Sequence, residues 1–463
     1  MGYNFHCSKN EMDETMPMIT EDISVLLLLL SVLAGCLMGV VSGLIPGLHS
    51  NNFAMLLVSV SPMLIESGIP AIYIIFMILA NCITHTFHDI IPAIYLGVPN
   101  SDMALAVLPG HQLLLDGRGP EAIRLSAMGS AGSVIVSIIL LLPFGILLYT
   151  IYPLIQDHIG WMLLFIALLM IITEKGEYVP GQGSLVRYRH IFYAFVVFGL
   201  SGLLGIFAFG KENLANSLFE SDSPSILLPL LSGLFGASQL IVSLTTGSVI
   251  PPQRTSLITL PANRAIKAIA SGSFAGSFVA WLPGVSSSVA TLLAEQLGRI
   301  KGKKDHTKYN MTDDPLNEAR EFIVSVSGVN TANAVFGLFV FFFIGRARNG
   351  AIVAISSFLE PSAISIPIIL ILLCVVILAS MFSYYSTIKI GNTIHLFMEK
   401  IDYRKLSIAV LTGLVVMVAV FTGVFGIIIF LMATSIGLLP SFMHVRKSNA
   451  MGVILLPVIL YFL

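Results

Sequence analysis

Gly35-Cys-Leu-Met-Gly-Val-Val-Ser-Gly-Leu-Ile-Pro-Gly-Leu-His-Ser-Asn-Asn52 is the stretch on which the fold turns. Its glycines at positions 35 and 39 sit at the four-residue spacing that lets helices approach closely in lipid. Pro46-Gly47 then interrupts the helix, and the backbone groups it frees must be met by a buried or wetted site. A small polar run, His49-Ser-Asn-Asn52, follows the break. The pattern returns half a chain later as Gly272-Ser-Phe-Ala-Gly-Ser-Phe-Val-Ala-Trp-Leu-Pro-Gly-Val-Ser-Ser-Ser288. Gly35, Gly39, Pro46, Gly47 and Ser50 align without a gap on Gly272, Gly276, Pro283, Gly284 and Ser287, at a constant offset of 237 (272 − 35, 287 − 50). A weaker correspondence follows each block: Asn81-Cys-Ile-Thr-His85 precedes Leu96-Gly97, and Asn330-Thr-Ala-Asn333 precedes Ile344-Gly345.

The rest of the chain places this repeat in a membrane. Of 463 residues, 56% are hydrophobic and only 11% charged, too few charges to cover a soluble domain of this size. Runs long enough to cross a bilayer recur throughout, among them Ile23–Val41, Ala127–Tyr149, Ile191–Phe209 and Ile364–Tyr385. They lack period-two alternation and read as helices, about 10–12 membrane segments in an all-α polytopic chain. The net charge of −1 gives no basis for a nucleic-acid partner. Four scattered cysteines form neither a disulfide framework nor a metal spacing.

Charge sets the expected topology. Six stretches, Arg118–Arg124, Lys175–Arg189, Arg254–Lys267, Arg299–Arg320, Lys389–Lys405 and Arg446–Lys447, hold 20 of the 24 Lys and Arg and are therefore read as cytoplasmic. The breaks around Gln156–His158, Lys211–Asp222 and Gly423 carry almost none. Both flanks of Ala268–Leu297 are basic, so this block is read as a hairpin entering from inside. The matching block Ile23–Leu64 follows an acidic leader and would dip in from outside. The expected organisation is a polar, external N-terminal leader (1–22), a first repeat (23–250), a cytoplasmic linker (251–267) and a second, inverted repeat (268–463) in the cell membrane. Inverted repeats whose broken helices meet at the midplane are a common architecture of secondary transporters.

At these residues the chain resembles the large membrane subunit of the tripartite tricarboxylate transporters, the TctA family. The resemblance is carried by Gly43-Leu-Ile-Pro-Gly-Leu48, Ile91-Pro-Ala-Ile-Tyr-Leu-Gly-Val-Pro99, Asp116-Gly117 with Ala122–Gly132, Leu282-Pro-Gly284 and Asn330-Thr-Ala-Asn-Ala334. His49-Ser-Asn-Asn52 replaces a more glycine-rich continuation, and Gly345-Arg-Ala-Arg348 stands where the family has a second Gly-x-Pro-Gly element, which suggests a divergent branch. The resemblance implies uptake of a small organic anion, a di- or tricarboxylate, driven by Na⁺ or H⁺, with no other cofactor. It also implies two partners, a small membrane subunit and an extracytoplasmic solute-binding protein.

Candidate ligands follow the breaks. Ser50, Asn51, Asn52, Ser286, Ser287 and Ser288 would lie near the N-termini of returning half-helices, where backbone N–H groups favour an anion. The carbonyls around Pro46-Gly47 and Pro283-Gly284 can coordinate a cation. Asn330, Thr331 and Asn333 could supply further oxygens. One such motif alone is explained equally well by an ordinary kink; two in register favour a site. Arg346 and Arg348 suit forked contact with a carboxylate, or else belong to an exposed loop. His85, His88 and Asp89 form a compact ionisable cluster that would serve as a proton relay, unless they merely line a wetted interruption. Two rival functions use the same residues: a passive channel, and an intramembrane metal-dependent enzyme built on His85, His88 and Asp89. The chain lacks the His-Glu-x-x-His zinc motif, since His85-Thr-Phe-His88 has no glutamate.

Overall fold

The computed structural model describes residues 23–45, 50–95, 101–174, 184–216, 226–246, 251–254, 257–282, 287, 290–291, 316–361, 365–398 and 403–463. Every regular element among them is helical. The first half contains α1 (Val25–Leu44), α2 (Ser50–Glu66), α3 (Ala71–His88) and the short α4 (Ile90–Tyr95). A 3-10 turn at Ser101–Ala106 leads to α5 (Val107–Leu115), α6 (Gly119–Ile155), α7 (Ile159–Ile172) and α8 (Ser184–Gly210). Next, α9 (Leu227–Leu231) passes through a π-helical stretch, Ser232–Ala237, into α10 (Ser238–Thr246). The second half contains α11 (Ala262–Val279), α12 (Asn317–Ile344), α13 (Gly350–Ser356), α14 (Ile366–Met398), α15 (Tyr403–Met443) and α16 (Gly452–Phe462).

Among the described residues, seven stretches are long and apolar enough to cross a bilayer, against the 10–12 segments expected from sequence. Part of the difference lies in how helices join. Gly119–Ile172 counts as one stretch although a 3-10 turn at Gln156–His158 divides it, and Ser407–Met443 counts as one although Gly423 breaks it. Three further apolar helices have only 10–17 residues. Gly423 has φ 65°, a left-handed conformation open to glycine and strained for other residues. The chain is thus a multi-pass α-helical membrane protein.

Burial separates the helices by role. The most apolar 18-residue window of α1 is 33% buried, leaving the rest of its surface for lipid, whereas the corresponding window of Ala71–Tyr95 is buried throughout. The element beside the first break is therefore the centre of the protein rather than its rim.

The glycine repeat has a direct structural counterpart. A methyl group added to Gly35 would collide with the Met77 carbonyl, and one on Gly39 would lie 2.5 Å from Thr84 Cβ and 2.8 Å from the Asn81 carbonyl. In the second half, Gly272 is pressed on the Ser325 carbonyl, and Gly276 on the Val329 carbonyl and Ala332 Cβ. Both pairs advance in the same direction, so α1 runs parallel to α3 and α11 parallel to α12. The partner positions differ by one constant offset of 248 (325 − 77, 329 − 81, 332 − 84). That register is one residue away from the Asn81/Asn330 match read in sequence. It puts Cys82 opposite Asn330, and His85 opposite Asn333.

Each pair is then clasped by a helix from the other half. Helix α6 packs on α12, with Ser133 Oγ donating to the Gly328 carbonyl (2.7 Å) and Ser327 Oγ to Ser126 Oγ (2.8 Å). Helix α14 packs on α3, where Ser383 Oγ donates to Thr84 Oγ1 (2.9 Å).

The chain breaks sort by charge. Arg320, fully buried at the start of α12, pairs with the equally buried Glu121 of α6 at 2.9 Å, and Glu121 also accepts from the Thr259 hydroxyl (2.8 Å). Arg264 pairs with Glu321 (3.0 Å), and Arg124 donates to Asn392 (3.3 Å). Four of the basic stretches therefore meet. On the weakly charged side, the Asn216 N–H donates to the Thr422 carbonyl (3.4 Å), joining the break after Lys211 to the one at Gly423. Helix α11 begins at Ala262, so the last residues of the segment 251–267 lie on its first turns. Arg264 and Lys267 ride on those turns, and Arg264 pairs from there with Glu321. The leader 1–22 lies outside the described residues.

Candidate functional site

The ends of the two glycine-lined pairs come together at one polar junction. In the first half, α2 starts at buried Ser50, directly after residues 46–49, so Pro46 and Gly47 lie outside the described residues. The Ser50 carbonyl accepts from Asn81 Nδ2 (3.2 Å), and Ser50 shares a hydrogen bond with Cys82. Asn51 Oδ1 accepts from the Ala351 N–H (3.0 Å) at the start of α13. Asn52 belongs to α2, and its side chain lies outside the described residues.

In the second half Pro283, Gly284, Ser286 and Ser288 also lie outside the described residues, but Ser287 is placed. Its N–H donates to Asp102 Oδ1 (3.0 Å), its hydroxyl donates to Asn330 Oδ1 (3.2 Å), and it accepts from Asn333 Nδ2 (3.1 Å). The two halves thus repeat one arrangement: the serine after each break bonds to equivalent positions on the parallel helix, Cys82 in one case and Asn330 in the other.

Two contacts join these ends across the halves. Asn330 Nδ2 donates to Asp89 Oδ2 at 2.8 Å, and the Thr86 and Thr331 hydroxyls meet at 3.1 Å. Asp89 is only 2% exposed, and its Oδ1 has no hydrogen-bond partner among the described residues. Burial of an unmatched carboxylate oxygen is expensive, so this atom stands out.

The structure thus joins Ser287, Asn330, Asn333 and Asp89 in one hydrogen-bonded network, adds Asp102 to it, and sets the Thr86–Thr331 contact beside it, whereas Ser50 bonds to Asn81 and Cys82 within its own half. The histidines flank this group. Nδ1 of His88 lies 2.8 Å from the Thr84 carbonyl, which can only accept, so Nδ1 carries the proton. A neutral ring then accepts at Nε2 from Ser386 Oγ, 3.0 Å away on α14. His85 Nδ1 lies 3.0 Å from Ser42 Oγ. No group of three His, Cys, Asp or Glu among the described residues could hold a metal ion.

The two arginines lie elsewhere. Arg346 is exposed, and Arg348 donates to the Tyr152 hydroxyl (2.7 Å) with its guanidinium 5.7 Å from the ring centroid. Their place is the loop after α12, against the end of α6. Sequence reasoning missed the Glu121–Arg320 pair because Arg320 reads as one more residue in a basic run. The lone acid inside Arg118–Arg124 was the available signal.

Chemically, the junction offers hydroxyls, amides and a backbone N–H, with two carboxylates within the same network. An anionic oxygen is accommodated at the Ser287 N–H, where Asp102 supplies it.

A family comparison covers nearly all of this architecture. The model of the tripartite tricarboxylate transporter TctA family matches residues 29–452, from α1 to the start of α16. The chain is also 30% identical over 447 residues to an uncharacterized protein of Methanocaldococcus jannaschii, covering 94% of this chain and 99% of that one. No solved structure matches. With both glycine-lined pairs and the junction between them inside the matched region, the chain belongs to the tripartite tricarboxylate transporter TctA family.

Proposed function

We propose that this protein is a secondary active transporter of a small organic anion, a di- or tricarboxylate, coupled to Na⁺ or H⁺ and working by alternating access. The observation that carries the reading is the repeated serine: Ser50 and Ser287 follow equivalent breaks, and the second already holds a carboxylate oxygen at its N–H. In this reading the two halves are inverted repeats, each with a re-entrant hairpin whose tip faces the other near the midplane. The parallel helix pairs in one register, and the clasp of each by a helix from the opposite half, support a pseudo-twofold relation of this kind. The family further suggests a small membrane subunit and an extracytoplasmic binding protein as partners.

Two measurements test the proposal. Proteoliposomes of the purified chain are expected to take up a labelled di- or tricarboxylate when a Na⁺ or proton gradient is imposed. Failure with every acid tested, with and without the partner subunits, would remove the transport reading. Single cysteines introduced at Glu66 and Lys303 are expected to react with an impermeant reagent from opposite faces. Labelling of both from one face would refute the inversion.

A further inference from the structure

We propose that Asp89 carries the coupling proton of this transporter, an inference that rests on the transport reading above. Three observations converge on it. Asp89 is 2% exposed, accepts at Oδ2 from Asn330, and leaves Oδ1 without a partner. It stands where the two halves touch, one helical turn from the Thr86–Thr331 contact. Through Asn330 it is wired to Ser287, and through Ser287 to Asp102, so whatever binds at the second break is two hydrogen bonds from the Asp89 carboxylate.

Electrostatics then demands a cation. An anionic substrate entering beside Ser287 meets two carboxylates, Asp89 and Asp102, inside a medium that penalises unpaired charge severely. The titratable groups on the elements packed around Asp89 include Cys82, His85 and His88 of α3, Tyr95 of α4, Asp102 of the 3-10 turn, Glu318, Arg320 and Glu321 of α12 and Lys389 of α14. None of them bonds to it. His88 is held between Thr84 and Ser386, Arg320 by Glu121, and Lys389 lies over the Tyr385 ring. Among the described residues none supplies the neutralising charge, and the proposal takes it from outside the chain. A hard metal cation requires a cage of several oxygens. One open carboxylate oxygen suffices for a proton, and a membrane-depth carboxylate is a usual relay. In the cycle, Oδ1 takes a proton from the medium to give the neutral carboxyl as the anion binds. After the halves reorient, the O–H bond breaks, the proton leaves to the other side and the carboxylate is restored.

The test uses the full chain in proteoliposomes with labelled succinate and citrate. For the unmodified protein, an inward proton gradient is expected to drive accumulation. Asp89→Asn, which keeps the size and an acceptor for Asn330, is expected to lose that accumulation while still exchanging internal for external carboxylate. Asp89→Glu, which keeps a titratable group, is expected to retain accumulation with a displaced pH dependence. Full accumulation by Asp89→Asn would overturn the assignment. So would accumulation in the unmodified protein that follows Na⁺ and ignores pH, or loss of exchange in both variants, which would make Asp89 structural. Absence of both exchange and uptake in the unmodified protein is a separate result: it removes the transport reading, and this inference with it.

Discussion

The α1–α3 pair and the α11–α12 pair share a backbone arrangement and differ in nearly everything attached to it. In each, two glycines four apart seat one helix on the carbonyls of the other, in the same direction and the same register. The first pair presents Cys82 and His85 at the positions where the second presents Asn330 and Asn333. Their clasps differ as well. Helix α6 holds the second pair with a fully buried Arg320–Glu121 ion pair, whereas α14 holds the first with hydroxyls and an imidazole, Ser383 to Thr84 and Ser386 to His88. Close approach of the helices is a property of the scaffold, then, while the chemistry at the tips is free to differ between halves.

The clasps give the largest expected contrast. Arg320→Ala removes the buried cation bonded to Glu121, leaving only the half-exposed Arg118 at 3.6 Å, and is expected to destabilise the protein by about 3–5 kcal/mol. Ser383→Ala removes the neutral bond to Thr84, together with one to the Ala379 carbonyl of its own helix, and should cost about 1 kcal/mol. Unfolding of both variants in detergent measures the difference; equal losses would abolish the distinction between the two clasps.

Smaller, and opposite in logic, is the effect expected at the glycines. Gly39→Ala and Gly276→Ala each insert a methyl group into a backbone contact and should each cost about 1–3 kcal/mol, the usual range for overpacking. Here the expected outcome is equality. A large loss in one variant and none in the other would show that the shared register carries no shared energetics.

The tip serines come last. Ser287→Ala removes a hydroxyl bonded to both Asn330 and Asn333, and is expected to weaken carboxylate binding by about tenfold, or 1.4 kcal/mol. Ser50→Ala should weaken it less, because its hydroxyl faces Cys82, a poorer partner. Exchange kinetics with a labelled carboxylate reads both. Unchanged binding in the two variants would take these hydroxyls out of the site.

Sequence revealed the parts of this structure that are encoded twice. Two copies of a glycine pair, a Pro-Gly break and a serine at one offset are visible because each copy is evidence for the other. Helical character followed from the apolar runs, and the meeting of basic stretches from their charge. The clasps were invisible: Ser133 on Gly328 and Ser383 on Thr84 join small hydroxyl residues across 195 and 299 positions, with no pattern to announce them. Asp89 was readable as an ionisable residue in an apolar setting. Its partner Asn330 was readable as a polar residue on another segment. That the two touch depends on how the halves dock, which no local signal records.

The clasp of α14 on α3 also has a consequence for biosynthesis. At about 5–20 residues per second, the 299 positions between Thr84 and Ser383 take a ribosome about 15–60 s to traverse. During that interval the Thr84–His88 end of α3 is already made, while the hydroxyls that complete it are not. A nascent chain in this condition presents polar groups to lipid or to the insertion machinery, and any product ending before residue 366 does so permanently. Completion of α14 is thus the step at which a cell's quality control could tell a finished molecule from an abandoned one.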